Sequence, residues 1–160
     1  MTIPTPFSEY RETVDPGACD YNGHMNVGYY LLAFENAARA FFRYVGLSQA
    51  YRERTNHALF ASETHLTFER EVRAGDPLRF ATQLLGATAK AIDVMHFMYH
   101  ADSGQLSATN EVMYLHVDLE GRRIVPFPAE ARAHLRRIEA AHAHLPRPPQ
   151  AGRRIALRRR

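Results

Sequence analysis

The hydrophobic pattern changes period twice along the chain. Residues 7–14 (Phe-Ser-Glu-Tyr-Arg-Glu-Thr-Val) alternate well enough to predict a first strand. Pro16-Gly17 ends it. From Val27 the spacing becomes helical: Val27, Tyr30, Leu31, Phe34, Ala37, Ala38, Phe41 and Val45 fall on one stripe. Asn26 is a suitable N-cap and Gly46 a suitable stop. The helix should run about 18 residues, or roughly 27 Å. Glu35 and Arg39 sit four apart and can pair on its surface. The remaining positions include Tyr29, Leu32, Ala33, Ala40 and Phe42, so the helix is apolar nearly all round and is expected to be buried.

Residues 47–57 read as a helical turn and loop. Four strands follow at 58–73, 78–88, 91–101 and 107–119, separated by the turn sequences Gly75-Asp76-Pro77, Asp102-Ser103-Gly104 and Glu120-Gly121. Residues 129–143 form a last helical pattern. Short turns force antiparallel neighbours. The order predicts an α+β fold in which one antiparallel sheet wraps one long buried helix. A single sheet over a single helix is a thin core, so a homo-oligomer that extends the sheet is expected.

A chain of 160 residues suits one domain, here residues 1–145. The composition, 46% hydrophobic and 23% charged, is globular, and no apolar run approaches the ~18–20 residues of a membrane span. The first residues lack the basic and apolar regions of a secretory signal, and Cys19 is the only cysteine, so a cytoplasmic protein is expected. Six arginines between positions 147 and 160 change the formal charge from −3 to +3. With its prolines, the segment 146–160 reads as a disordered basic tail. Its alternative role is an anionic docking arm, although no nucleic-acid or membrane partner is expected.

The chemistry concentrates in Asp20-Tyr21-Asn22-Gly23-His24-Met25-Asn26, directly before the long helix. Helix N-termini carry unpaired amides and partial positive charge. A carboxylate, two side-chain amides and an imidazole placed there can polarise a carbonyl and direct water to it. Asp20 is the candidate base or nucleophile. Asn22 would hold water or substrate oxygen, and His24 would orient the carbonyl or fix Asp20. Backbone amides of Gly23–Asn26, with Met25 among them, are the expected oxyanion donors, and Gly23 would let backbone approach substrate closely. Asn26 is first of all a cap. No metal or cofactor is expected, because neither His96/His100 nor His142/His144 forms a closed ligand set and no nucleotide-binding loop occurs.

The motif Asp20-x-Asn22-x-His24-x-Asn26-x-x-x-Tyr30 resembles the signature of hotdog-fold acyl-CoA thioesterases of the 4-hydroxybenzoyl-CoA thioesterase-like branch, and of plant acyl-carrier-protein thioesterases. Residues 63–76 and 108–118 extend the resemblance, which spans roughly 7–140. Within that branch the chain is most similar to the modules beside, or fused to, carnitine dehydrogenases. The resemblance implies hydrolysis of a short acyl-CoA thioester, with betainyl-CoA the candidate substrate, by a homodimer or homotetramer. It implies a catalytic role for Glu63, which matches a glutamate of the plant enzymes. A cationic acyl group would want aromatic rings, and Tyr21, Tyr29 and Tyr30 are candidates. Arg70, Arg73 and Lys90 are candidates for the CoA phosphates. Two other readings stay open: a hotdog enoyl-CoA hydratase and a non-catalytic acyl-CoA-binding module.

Overall fold

A computed structural model describes residues 2–157. The long helix, α1, runs Val27–Val45 and is bounded as its sequence requires. Asn26 is extended, and its side chain accepts the Gly28 amide at 3.1 Å. Gly46 stops the helix at φ 85°, a left-handed conformation that L side chains rarely adopt. The region 47–57 holds a second helix, α2, at Gln49–Thr55.

The strands are β1 (Arg11–Thr13), β2 (His57–Phe68), β3 (Pro77–Ala87), β4 (Ala91–His100), β5 (Leu106–Asp118) and β6 (Arg123–Ile124). They pair antiparallel in the order β1-β3-β4-β5-β2, with β6 on β5. Two strands are shorter than their patterns suggest. Within residues 7–14 only β1 and a single Phe7–Thr82 bridge pair with the sheet. β2 stops at Phe68 because residues 69–73 turn away, and Val72 O accepts the Met25 amide at 2.9 Å. That departure joins the sheet to the polar loop.

Inward-facing residues of β3, β4 and β5 pack against α1. Phe34 meets Phe80 edge-on at 5.8 Å, and Phe42 meets Tyr114 at 4.9 Å. Phe41 is fully buried beside Phe7. Burial of one such ring stabilises by about 1.5–3 kcal/mol. Contrary to the expectation from its pattern, α1 is not enclosed all round: its C-terminal half buries Ala37, Ala38, Phe41 and Val45 but keeps Arg39 and Arg43 exposed. Val27, Tyr29, Leu31 and Leu32 remain 42–60% exposed. Phe68 of β2, which shares a cavity with Val27, and Phe60 further along the same strand are about half exposed.

The final helix, α3 (Ala129–His142), packs on β3. A bulge between Leu84 and Gly86 frees the Leu84 amide, which donates to His142 Nδ1 at 2.9 Å, while His142 Nε2 donates to Pro4 O. Residues 146–153, read above as part of a disordered tail, lie against the sheet. Gln83 Nε2 donates to Pro146 O, Pro148 is buried, Gln150 Nε2 donates to Glu69 Oε1, and the Gly152 amide donates to Glu111 Oε2 at 2.7 Å. The Gln83 amide and the carboxylates of Glu69 and Glu111 supply the partners that hold this proline-rich segment. Arg158, Arg159 and Arg160 fall outside the described residues.

Candidate active site

The polar loop is a miniature hairpin seated at the start of α1. Cys19 and Met25 bridge, the Asp20 amide donates to His24 O at 2.8 Å, and the Gly23 amide returns to Asp20 O at 2.9 Å. Gly23 closes that turn at φ 76°. Asp20 Oδ1 accepts the amides of Asn22 (2.8 Å) and His24 (3.3 Å). One carboxylate oxygen therefore holds the loop, and Oδ2 has no partner among the described residues. Asp20 is half-buried rather than turned fully into solvent.

This geometry corrects the expectation about oxyanion donors. The Gly23 and His24 amides bind Asp20, the Met25 amide binds Val72 O, and the Asn26 amide binds Ala18 O at 2.9 Å. The Gly28 and Tyr29 amides are taken by Asn26. Of this run, the Val27 N–H has no hydrogen-bond partner among the described residues. It is the first residue of α1, where the helix dipole is most positive.

Val27 is also among the residues that line an open cavity of about 310 Å³, with His24, Met25, Tyr30, Phe68, Glu69, Arg70 and Glu71. His24 Nε2 stands 3.2 Å from Glu71 Oε1, an ion-pair separation without hydrogen-bond alignment. Tyr30 is buried and meets Phe68 edge-on at 5.1 Å; burial raises its phenol above the ordinary tyrosine value. Met25 is 7% exposed and forms part of the wall. Asp20 does not line this cavity, although it is bonded to His24, which does.

Several anticipated residues are not brought together. Tyr21 is 98% exposed and offers no ring to the cavity, and Tyr29 lies on the open side of α1. Asn22 and Gly23 are exposed on the hairpin tip. Glu63 opens on a different cavity, with His65, Asp93 and Glu111. Register explains its separation: Glu63 is opposite Met113 and Phe68 opposite Ala108, so the two face opposite sides of the sheet, roughly 16 Å apart along β2. Arg73 is paired with Glu71 at 3.2 Å. Lys90 occupies the β3–β4 turn, about 33 Å along β3 from the end that packs on the hairpin. Of the three basic candidates, only Arg70 borders the cavity.

Sequence reasoning missed Phe68, Glu69 and Glu71. Phe68 shares the parity of Leu66 and was accessible from alternation. Glu71 gave no local signal; the long-range bridge between His24 and Arg73 brings it in.

The wrapped helix with a polar hairpin at its N-terminus defines a hotdog fold of the thioesterase type. Residues 14–135 match the family model described as the thioesterase-like superfamily, and the chain belongs to that family. It is 40% identical over 148 residues to the betainyl-CoA thioesterase of Pseudomonas aeruginosa, covering 92% of this chain and 93% of that one. It is 38% identical over 140 residues to the L-carnitine dehydrogenase/betainyl-CoA thioesterase of Rhizobium meliloti, covering 88% of this chain but 28% of that longer protein. A Staphylococcus aureus protein solved in complex with CoA superposes with a TM-score of 0.90 at 26% identity over 99% of both chains. With these relatives the chain is a thioester-hydrolysing enzyme, rather than the hydratase or the non-catalytic module also considered above.

Proposed function

We infer that the chain hydrolyses a short, cationic acyl-CoA, with betainyl-CoA as the preferred substrate, at the N-terminus of α1. The free Val27 amide carries this reading. A thioester oxygen placed on that N–H, at the positive end of the helix, develops its negative charge where it is stabilised; one such donor is worth ~3–4 kcal/mol. Asp20, anchored through Oδ1, presents Oδ2 as the carboxylate that activates water or attacks the acyl carbon. The C–S bond then breaks, and the electron pair leaves on the CoA thiolate. His24 and Asn26 hold Asp20 and the helix start in register. Gly23 keeps the hairpin tight, and the Asn22 amide helps to anchor Asp20 Oδ1.

The acyl preference follows from the cavity wall. Tyr30 and Phe68 offer aromatic surface, and Glu69 and Glu71 offer negative charge; together these suit a quaternary ammonium. The P. aeruginosa relative's name points to the same acyl group. Arg70 is the proposed contact for a CoA phosphate. Glu63 is not within this chain's site and would contribute only across an interface.

The active form is a homodimer or a tetramer built from such dimers. β2 ends the sheet order, so its 12-residue outer edge is unpaired among the described residues, beside the exposed Val27, Leu31, Leu32, Phe60 and Phe68. The unpaired, half-exposed Cys19 fits a reducing cytoplasm. No helix among the described residues is long and apolar enough to cross a membrane.

The test is thiol release from a panel of acyl-CoAs. Turnover of betainyl-CoA above neutral short-chain esters, abolished in Asp20→Asn, is the expected result. Equal turnover of neutral and cationic esters would remove the cationic preference. Label found in Asp20 after single-turnover hydrolysis in ¹⁸O-water would show attack by that carboxylate, through an anhydride that water opens at the Asp20 carbonyl.

A further inference from the structure

Two arginines of α3, Arg132 and Arg136, lie one helical turn apart and share a recess of about 190 Å³ with the β3–β4 turn. Like charges at this spacing destabilise a helix unless something negative lies between them. Among the described residues neither guanidinium has a carboxylate within ion-pair distance. Arg132 Nε is buried with no hydrogen-bond partner. A buried donor atom left unpaired carries the desolvation cost of that N–H, although the Arg132 side chain as a whole is only half-buried.

Glu139 lines the recess too: its Oε1 accepts the Ala87 amide at 3.2 Å, and its single negative charge offsets one of the two guanidiniums. Thr88 Oγ1 accepts the amides of Lys90 and Ala91. The recess therefore keeps a net positive charge and two sets of guanidinium donors without an ion-pair partner, with Lys90 following in the same turn. A water takes up about 30 Å³ of liquid, so the recess has room for a group of several heavy atoms. Guanidinium forks match the oxygens of phosphate in a bidentate geometry.

We propose that this recess is a phosphate-binding site, with Arg132 and Arg136 as its ligands. It lies at the far end of β3 from the hairpin and is separate from the thioester cavity of the same chain. The phosphate is either one carried by the CoA bound to another copy of the chain or a free phosphate anion.

Inorganic phosphate titrated at constant ionic strength, against chloride, tests the site by calorimetry and thermal melting. Phosphate-specific binding and a raised Tm are expected. Arg136→Gln, at an exposed position that leaves packing intact, should weaken binding about tenfold or more. Arg132→Gln should do the same, and Arg137→Gln, outside the recess, should not. Kinetics separate the two sources. A KM for acyl-CoA raised about tenfold in Arg136→Gln, with no change for the matching acyl-pantetheine ester, assigns the phosphate to CoA. Lost phosphate binding with both KM values unchanged assigns it to a free anion. The site is refuted if wild-type protein shows no phosphate-specific binding and no such KM change, or if binding survives both substitutions. The binding measurement stands apart from the thioesterase reading, since it requires no turnover.

Discussion

The two ends of α1 have opposite physical characters. From Ala37 to Val45 the helix is packed, with Phe41 fully buried and Leu47 and Tyr51 closing over the last turn. From Val27 to Leu32 it is half open: Tyr30 is buried against Phe68, but Val27, Tyr29, Leu31 and Leu32 are exposed. The closed end stabilises the fold. The open end leaves a backbone donor, a carboxylate oxygen and a cavity unsatisfied, and these are the features that chemistry requires. A change at one end should therefore affect stability with little effect on the chemistry, and a change at the other should do the reverse.

The largest effect is expected from Asp20→Asn. The amide keeps a carbonyl oxygen for the Asn22 and His24 N–H groups but removes the base or nucleophile, so kcat/KM should fall about 10³-fold while the melting curve barely moves. A fall of less than about tenfold would move the carboxylate role elsewhere. At the closed end, Phe41→Ala should cost about 3–5 kcal/mol in urea unfolding. The kcat of the molecules that remain folded should stay near wild type.

Val27→Pro is the sharpest test of the open end. Proline is favoured at the first helical position, and Asn26 already has the extended conformation that a following proline demands. The substitution removes one N–H and little else. A loss of about 10²–10³ in kcat with an unchanged Tm is expected if that amide receives the oxyanion. Unchanged kcat would dismiss Val27 as the donor.

His96 provides a pH test of the core. It is fully buried between Thr82 and Phe34, its Nδ1 lies 2.8 Å from the Thr82 hydroxyl, and burial pushes its pKa down to about 3. The folded state holds the neutral ring, and the unfolded chain protonates near 6.5. This contribution to stability is therefore complete above pH 6.5 and lost as pH falls toward 3, at about 1.4 kcal/mol per pH unit. Urea midpoints measured from pH 7 to 4 should show a shallower acid limb in His96→Gln than in wild type. The smallest effect is expected from Asn26→Ala, which removes the cap and should lower stability by about 1 kcal/mol.

Local signals were enough to place α1, its two caps and the order of the long strands, because side-chain period and turn chemistry are written in neighbouring residues. They also placed Asp20 and His24 in one loop. They did not reveal that four successive amides of that loop are already taken, because one acceptor, Val72 O, comes from distant backbone and another, Ala18 O, depends on how the loop closes on itself. Glu63 was misplaced for a related reason. Alternation alone gives Glu63 the opposite parity to Leu66 and Phe68; which of the two faces borders the helix start was decided by how residues 69–73 turn away from the sheet.

The sequence by itself determined a long, largely apolar helix preceded by a polar loop with one carboxylate and followed by antiparallel strands, since propensity, capping and alternation act over a few residues. Tertiary structure decided which donors remain unpaired, which acids face the helix start and where the basic segment lies. Those outcomes depend on hydrogen-bond partners and burial contributed by residues far apart in the chain.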